Sequence, residues 1–211
     1  MANGVPDFAS RDPLAPQFWD ERFEKAFTPW DRGGVARDLK RFIEGGYAAL
    51  AGAVAKQTPA VLLPGCGSAY ELVAMCDAGW DATAIDFSPV AVARARALAG
   101  PYANRVIDAD FFTWVPPRPL DLIVEQAFLC ALPRARWPEV AARWADLLGP
   151  GGLLAGYVFF DDAPKGPPFG IDRERLDALL TPGFTCLADA PVADSIPVFK
   201  GKERWMVWRR C

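Results

Sequence analysis

The sequence predicts an α/β domain with a mostly parallel sheet, and three observations carry that prediction. From residue 59 onward short apolar runs alternate with helical patterns, the signature of a parallel sheet with helices on both faces. The first apolar run passes directly into Gly65-x-Gly67 and then a helical pattern, the strand–turn–helix that opens a Rossmann-like sheet. Two closing strand patterns follow each other without a full helix between them, which predicts an antiparallel edge. The 211 residues suffice for one such domain and fall short of two of ordinary size.

Taken in order, residues 17–27 read as a helix with Phe18, Phe23 and Phe27 beside Trp19. Residues 28–34, with Pro29, Gly33 and Gly34, interrupt it, and residues 35–55 resume a helical pattern. Strands are expected at 60–64, 82–85, 104–108, 120–124 and 153–160, and the closing pair at 184–188 and 204–208, seven in all. Between them lie helices over 70–78, 89–99, 137–148 and 172–180. Ser88 is the expected N-cap of the second of these, with Pro89 at its first position. Gly149-Pro-Gly-Gly152 is a strong stop for the third. A Pro/Gly-rich loop fills 163–170.

Composition removes several functional classes. Apolar residues make up 52% and charged residues 23% of the chain, so a buried core is expected rather than disorder. A net charge of −3 with no basic run argues against a nucleic-acid partner. No stretch approaches the roughly 18 apolar residues of a membrane span. Residues 1–10 lack the basic start and apolar run of a secretory leader. The five cysteines are scattered, without a CxxC pair, and the chain contains no histidine. A metal site is therefore not expected, reduced thiols point to a cytoplasmic setting, and imidazole-based catalysis is excluded.

The Gly65-x-Gly67 turn lets backbone approach a ligand at a helix N-terminus, although such turns also arise for conformational reasons alone. Asp86, 21 residues beyond Gly65 at the end of the next strand, is placed to accept hydrogen bonds from both hydroxyls of a ribose. Tyr70 stands where a dinucleotide fingerprint requires its third glycine. That disfavours a nicotinamide cofactor and leaves a ligand without a pyrophosphate, such as S-adenosylmethionine. Asp110 and Phe111, just past the third strand, can receive an adenine amino group and cover its ring.

With these segments in view, the chain resembles the thiopurine S-methyltransferase superfamily, including plant-type halide/thiol methyltransferases and their bacterial relatives. The resemblance runs through Phe23-Glu-Lys-Ala-Phe-Thr-Pro-Trp-Asp-Arg-Gly33, Leu63-Pro-Gly-Cys-Gly67, Ala84-Ile-Asp-Phe-Ser88 and Asp110-Phe-Phe-Thr-Trp114. It continues through Phe128-Leu-Cys-Ala131, Leu147-Leu-Gly-Pro-Gly-Gly152, Gly166-Pro-Pro-Phe169 and Gly201-Lys-Glu-Arg-Trp205. It implies a class I methyltransferase fold in which residues 1–55 cap a core spanning 56–211. It also implies that Trp30, Gly65, Cys66, Gly67, Asp86, Phe87, Asp110, Phe111 and Glu125 bind S-adenosylmethionine. Trp19, Glu125, Gln126, Tyr157 and Phe160 are the expected lining of the acceptor site, with core packing the alternative for Tyr157 and Phe160.

Two departures bear on the acceptor: Ser68-Ala-Tyr-Glu71 replaces a more glycine-rich stretch, and Glu125-Gln126 replaces an Asp-Tyr or Asp-Arg pair. Gly166-Pro-Pro-Phe169 is expected to shape a loop over the pocket, since it follows the fifth strand and lacks the Asp or Asn that grips a nitrogen. Methyl transfer from a sulfonium is an in-line displacement needing alignment more than a strong base. The expected partner is therefore a small soft nucleophile, most simply a thiol sulfur, with halide or thiocyanate as the alternative and a non-catalytic cofactor-binding protein as the reading of another class.

Overall fold

Burial of every residue from Ala60 to Pro64 shows why this run of Ala, Val and Leu forms a central strand: side chains on both faces meet helices. A computed structural model describes residues 6–211 of the chain; residues 1–5, half of the stretch read above as lacking a leader, lie outside the described residues. The strands are β1 (Ala60–Pro64), β2 (Asp81–Asp86), β3 (Val106–Asp108), β4 (Leu120–Gln126), β5 (Leu148–Phe159), β6 (Phe184–Pro191) and β7 (Glu203–Arg210). They form a seven-stranded sheet in the order β3-β2-β1-β4-β5-β7-β6. All pairings among β1 to β5 are parallel, and β7 runs antiparallel between β5 and β6. The antiparallel edge expected from the missing helix is present.

Seven α-helices accompany the sheet among the described residues: α1 (Pro16–Glu24), α2 (Arg37–Arg41), α3 (Tyr47–Ala51), α4 (Tyr70–Asp77), α5 (Pro89–Ala99), α6 (Trp137–Leu147) and α7 (Arg173–Leu180). On one face of the sheet, Leu39, Phe42, Tyr47, Leu72 and Met75 bury against Val61, Leu63 and Leu122. On the other, α6 turns Trp137, Val140, Ala141, Trp144 and Leu147 inward at helical spacing, against Leu62, Ile123 and Leu154. Ser88 accepts the N–H of Ala91 at 3.1 Å, so α5 begins at its expected cap. No helix of the described residues is long and apolar enough to cross a membrane.

Several boundaries shift from the sequence reading, α1 ending at Glu24 and β6 reaching Pro191 among them, and three shifts have a plain local cause. The helix expected over 35–55 is divided into α2 and α3 by a wider turn, Phe42–Gly46, where Gly45 leaves helical geometry; two adjacent glycines weaken any helix. The third strand starts only at Val106, because Pro101 lies in a 3-10 turn that runs Gly100–Arg105. β5 begins at Leu148, since the glycine stop that ends α6 is itself taken into the strand with a register shift opposite Leu120 and Leu122. Of the residues expected to cap the core, α2 and α3 are embedded in it. α1 and the loop after it are bound instead to the start and middle of α5 and to the turn before α4, through Asp20 on Ser88 and Asp31 on Arg94 and Ser68.

Candidate active site

The sheet order reverses between β1 and β4, and a crevice must open there beyond the carboxyl ends of the strands. A cavity of about 520 Å³ occupies that place. Its floor is the turn after β1. Gly65 and Gly67 have φ of +57° and +53°, and Ala69, at the N-cap of α4, has +53°. A Cβ on Gly65 would stand 2.6 Å from the ring of Phe128, so both the dihedral and the space call for glycine.

Asp86 ends β2 with its carboxylate accepting the N–H groups of Gly67 and Ser88, each at 3.0 Å. It is buried, and desolvation pushes its pKa up to about 6 against the pull of those N–H groups. Past β3, Asp110 accepts the N–H of Phe112 at 2.8 Å, and the buried Phe111 ring sets its edge against Phe128 with 4.9 Å between centroids. Gln126, at the end of β4, lines the cavity, and its buried Oε1 has no hydrogen-bond partner in the structure.

The roof comes from α1 and residues 28–34. Trp30 meets Trp19 edge-on at 5.5 Å and Phe23 at 6.1 Å, and Trp19 Nε1 donates to the carbonyl of Pro13 at 2.9 Å. Polar tethers hold this roof down. Asp20 accepts Ser88 Oγ at 2.5 Å, and Asp31 accepts Ser68 Oγ at 2.5 Å and Arg94 at 3.1 Å. Arg32 donates to the carboxylate and the carbonyl of Asp194, both at 3.1 Å. The far wall, on the β5 side, is apolar: Trp30, Ala127 and Val198 pack around Cys130 and Phe199. Gly166, Pro167 and Pro168 close it. Arg134 fixes that loop by donating to the carbonyls of Ala163, Pro164 and Gly170 at 2.7 to 3.2 Å.

Ten of the residues singled out in the sequence border this one cavity: Trp19, Trp30, Gly65, Cys66, Gly67, Asp86, Phe87, Asp110, Phe111 and Gln126. Three others do not. Glu125 points away from it and accepts the N–H groups of Phe128 and Leu129 at 2.8 and 3.0 Å, shaping the turn after β4. Tyr157 is buried in the opposite core, ring against Trp205, its hydroxyl accepting the N–H of Leu39 at 3.2 Å. Phe160 lies beyond the end of β5, in a separate shallow hollow with Arg134 and Asp172. Trp114, from a segment also expected near the pocket, packs behind it. The cavity adds Arg32, Glu71, Phe128, Cys130, Val198 and Phe199. Of these, Arg32, Phe128 and Cys130 fall inside segments of the family resemblance and Glu71 inside one of the departures from it, whereas Val198 and Phe199 carry no motif.

Buried carboxylates give this region a pH signature. Burial pushes Glu71 and Glu125 up to about 7 and Asp86 to about 6, and Glu203 is raised as well. The folded state then holds protons that the unfolded chain has released, so stability falls as pH rises from about 4.5 through 7. For Glu125 alone the change is on the order of 3 kcal/mol. Ligand-free thermal melts should give a higher Tm at pH 5.5 than at pH 8. Glu125→Gln, which keeps an acceptor for both N–H groups, should flatten that slope; a pH-independent Tm would show these acids to be solvated.

The profile of the family described as thiopurine S-methyltransferase matches residues 14–211. The chain is 30% identical over 198 residues to probable thiol methyltransferase 2 of Arabidopsis thaliana, covering 91% of this chain and 84% of that protein. It is 30% identical over 202 residues to thiocyanate methyltransferase 1 of the same plant, with the same coverage. The fold is shared with 1,6-didemethyltoxoflavin-N1-methyltransferase of Burkholderia thailandensis, solved with S-adenosylhomocysteine, at a TM-score of 0.72 and 17% identity over 95% of this chain and 93% of that one. The match spans nearly the whole molecule, roof and cavity included, and the chain belongs to the thiopurine S-methyltransferase family of class I S-adenosylmethionine-dependent methyltransferases.

Proposed function

We propose that the chain methylates the sulfur of a small thiol in the cytoplasm, with the nucleoside of S-adenosylmethionine held at Asp86 and Phe111 and the acceptor at the apolar far wall. The observation that carries this reading is the far wall itself: Trp30, Ala127, Cys130, Val198 and Phe199, with Gln126 as its polar member. A thiolate is nucleophilic near neutral pH and needs no base, and the chain has no histidine to offer one. The five free cysteines support a reducing compartment, and the acidic balance supports a small molecule over nucleic acid as partner.

The residues present fit the cofactor. Asp86 offers a carboxylate to paired hydroxyls, Phe87 and Phe111 offer ring faces, and Asp110 offers an acceptor for an exocyclic amine. The backbone at Gly65 and Gly67 permits close approach, and Gln126 Oε1 is unpaired. When bound, S-adenosylmethionine supplies an electrophilic methyl group on a sulfonium. Trp30 and Trp19 shield the reacting centre from water, the Gly166-Pro167-Pro168 loop limits the acceptor's approach, and the lid of α1 and residues 28–34 stays down through Asp31 and Arg32.

Trp30→Ala should lower kcat/KM about tenfold by opening the roof, with normal kinetics removing the lid from the reaction. A second reading, thiocyanate or halide methylation, is favoured by the Gln126 amide, which can donate to a small anion. The deciding experiment offers the purified chain S-adenosylmethionine with thiols, hydrosulfide, thiocyanate and iodide in turn, following S-adenosylhomocysteine and methylated product by mass spectrometry. Turnover with thiols or hydrosulfide ahead of thiocyanate and iodide is the expected result. The reverse order selects the anion reading, and turnover with none sinks both.

A further inference from the structure

One carboxylate in the cavity has no part in the scheme above. Glu71 is the second residue of α4, just beyond the glycine turn, and lines the cavity while only 6% exposed. Among the described residues no other residue donates a hydrogen bond to it. The remaining buried acids are all supplied: Asp86 and Glu125 take two N–H groups each, and Glu203 takes the hydroxyl of Ser195 at 2.8 Å. The charges nearest Glu71 belong to the lid, Asp31 and Arg32. Both are already engaged, Asp31 with Ser68 and Arg94, Arg32 with Asp194. A buried carboxylate served only by its own backbone N–H is unfavourable in the free protein and strongly favourable toward a cation that enters beside it.

Asp86 and Glu71 border the same turn, since Asp86 takes the N–H of Gly67 and Glu71 follows it in the first turn of α4. A ligand whose nucleoside lies at Asp86 and Phe111 therefore has a second, separate anion to meet at its other end. We infer that Glu71 is the counter-charge for the α-ammonium of the cofactor's methionine end, so that the cavity selects an amino-acid-bearing nucleoside over the nucleoside alone. The inference rests on the S-adenosylmethionine reading. Desolvation, which keeps Glu71 up to about 7 in the free protein, agrees with a site built to be neutralised by its ligand.

The test is calorimetric binding to the full chain, wild type and Glu71→Gln, with three thioether nucleosides. S-adenosylhomocysteine carries both α groups, S-adenosyl-3-thiopropylamine keeps the amine alone, and 5′-methylthioadenosine has neither. Glu71→Gln should weaken the first two about tenfold or more, the usual size of a lost charge-assisted hydrogen bond, and leave the third within twofold. Glu71→Asp should regain part of the loss. Equal loss for all three ligands would mean a structural role, and no loss, or loss confined to the carboxylate-bearing ligand, would overturn the inference. Methylthioadenosine affinity also reports whether the variant site is intact. Should Glu71→Gln fail to fold, wild type must still prefer the propylamine over methylthioadenosine by about tenfold, and equal affinities would overturn the inference. Wild type binding none of the three would overturn the cofactor reading itself, a result distinct from wild type binding that Glu71→Gln leaves untouched.

Discussion

Replacing Asp86 by alanine should lower affinity for S-adenosylhomocysteine by about two orders of magnitude. The carboxylate ends β2 with one oxygen on Gly67 N–H and the other on Ser88 N–H, which fixes its plane before any ligand arrives. Two ribose hydroxyls meeting it would gain charge-assisted hydrogen bonds worth about 3 kcal/mol together, or roughly a hundredfold in binding. Alanine also frees the Gly67 N–H and loosens the turn that forms the floor. Asp86→Asn keeps one acceptor oxygen without the charge and should fall between the two. Titration calorimetry reads the effect directly, with a melt to confirm folding, and wild-type affinity in Asp86→Ala would remove this residue from the site.

The largest effect on folding is expected at Gly156. It pairs with Glu125 where β5 lies between β4 and β7. A Cβ there would stand 2.0 Å from the carbonyl oxygen of Glu125 and 2.7 Å from its carbonyl carbon. Those are backbone atoms of a central strand and cannot swing aside, so relief requires parting the sheet beneath Gln126. Gly156→Ala should cost about 3 kcal/mol or more by denaturant titration, at the upper end of overpacking effects. Gly183→Ala is the control: its nearest atom would be 3.6 Å away, and stability should change by less than about 0.5 kcal/mol. Equal stability of wild type and Gly156→Ala would show that β4 and β5 can separate without loss.

The sheet was legible because its signals are local. Apolar runs, the Ser88-Pro89 start of α5 and the spacing from Gly65 to Asp86 each involve neighbours in sequence. So was the nucleoside half of the cavity, which is assembled from strand ends. The far half was not. β5 is buried on both faces from Gly152 onward, so no alternation tells which of Tyr157 and Phe160 turns toward the cavity, and neither does. Glu125 and Gln126 are adjacent and thus point to opposite sides. The left-handed turn at Ala127, φ +56°, is what lets Glu125 accept the following N–H groups and leaves Gln126 facing the cavity. Val198 and Phe199 arrive through the connection between β6 and β7, a tertiary event without a local mark. Glu71 reads in sequence as an ordinary acid in the first turn of a helix; only its burial, with no donor from any other described residue, sets it apart.

On the thiol reading proposed above, the reaction chamber carries two thiols of its own in its wall, Cys66 and Cys130. The reactive form of a thiol is its anion. Burial pushes both groups well above the ordinary thiol range, and the carboxylates nearby, Asp86 for Cys66 and Glu125 for Cys130, push them further. At neutral pH both therefore stay protonated and inert. A substrate ionised in water before it enters arrives as the only competent sulfur. The chamber thereby tells the guest's sulfur from its own by protonation state, which protects the protein from its own chemistry.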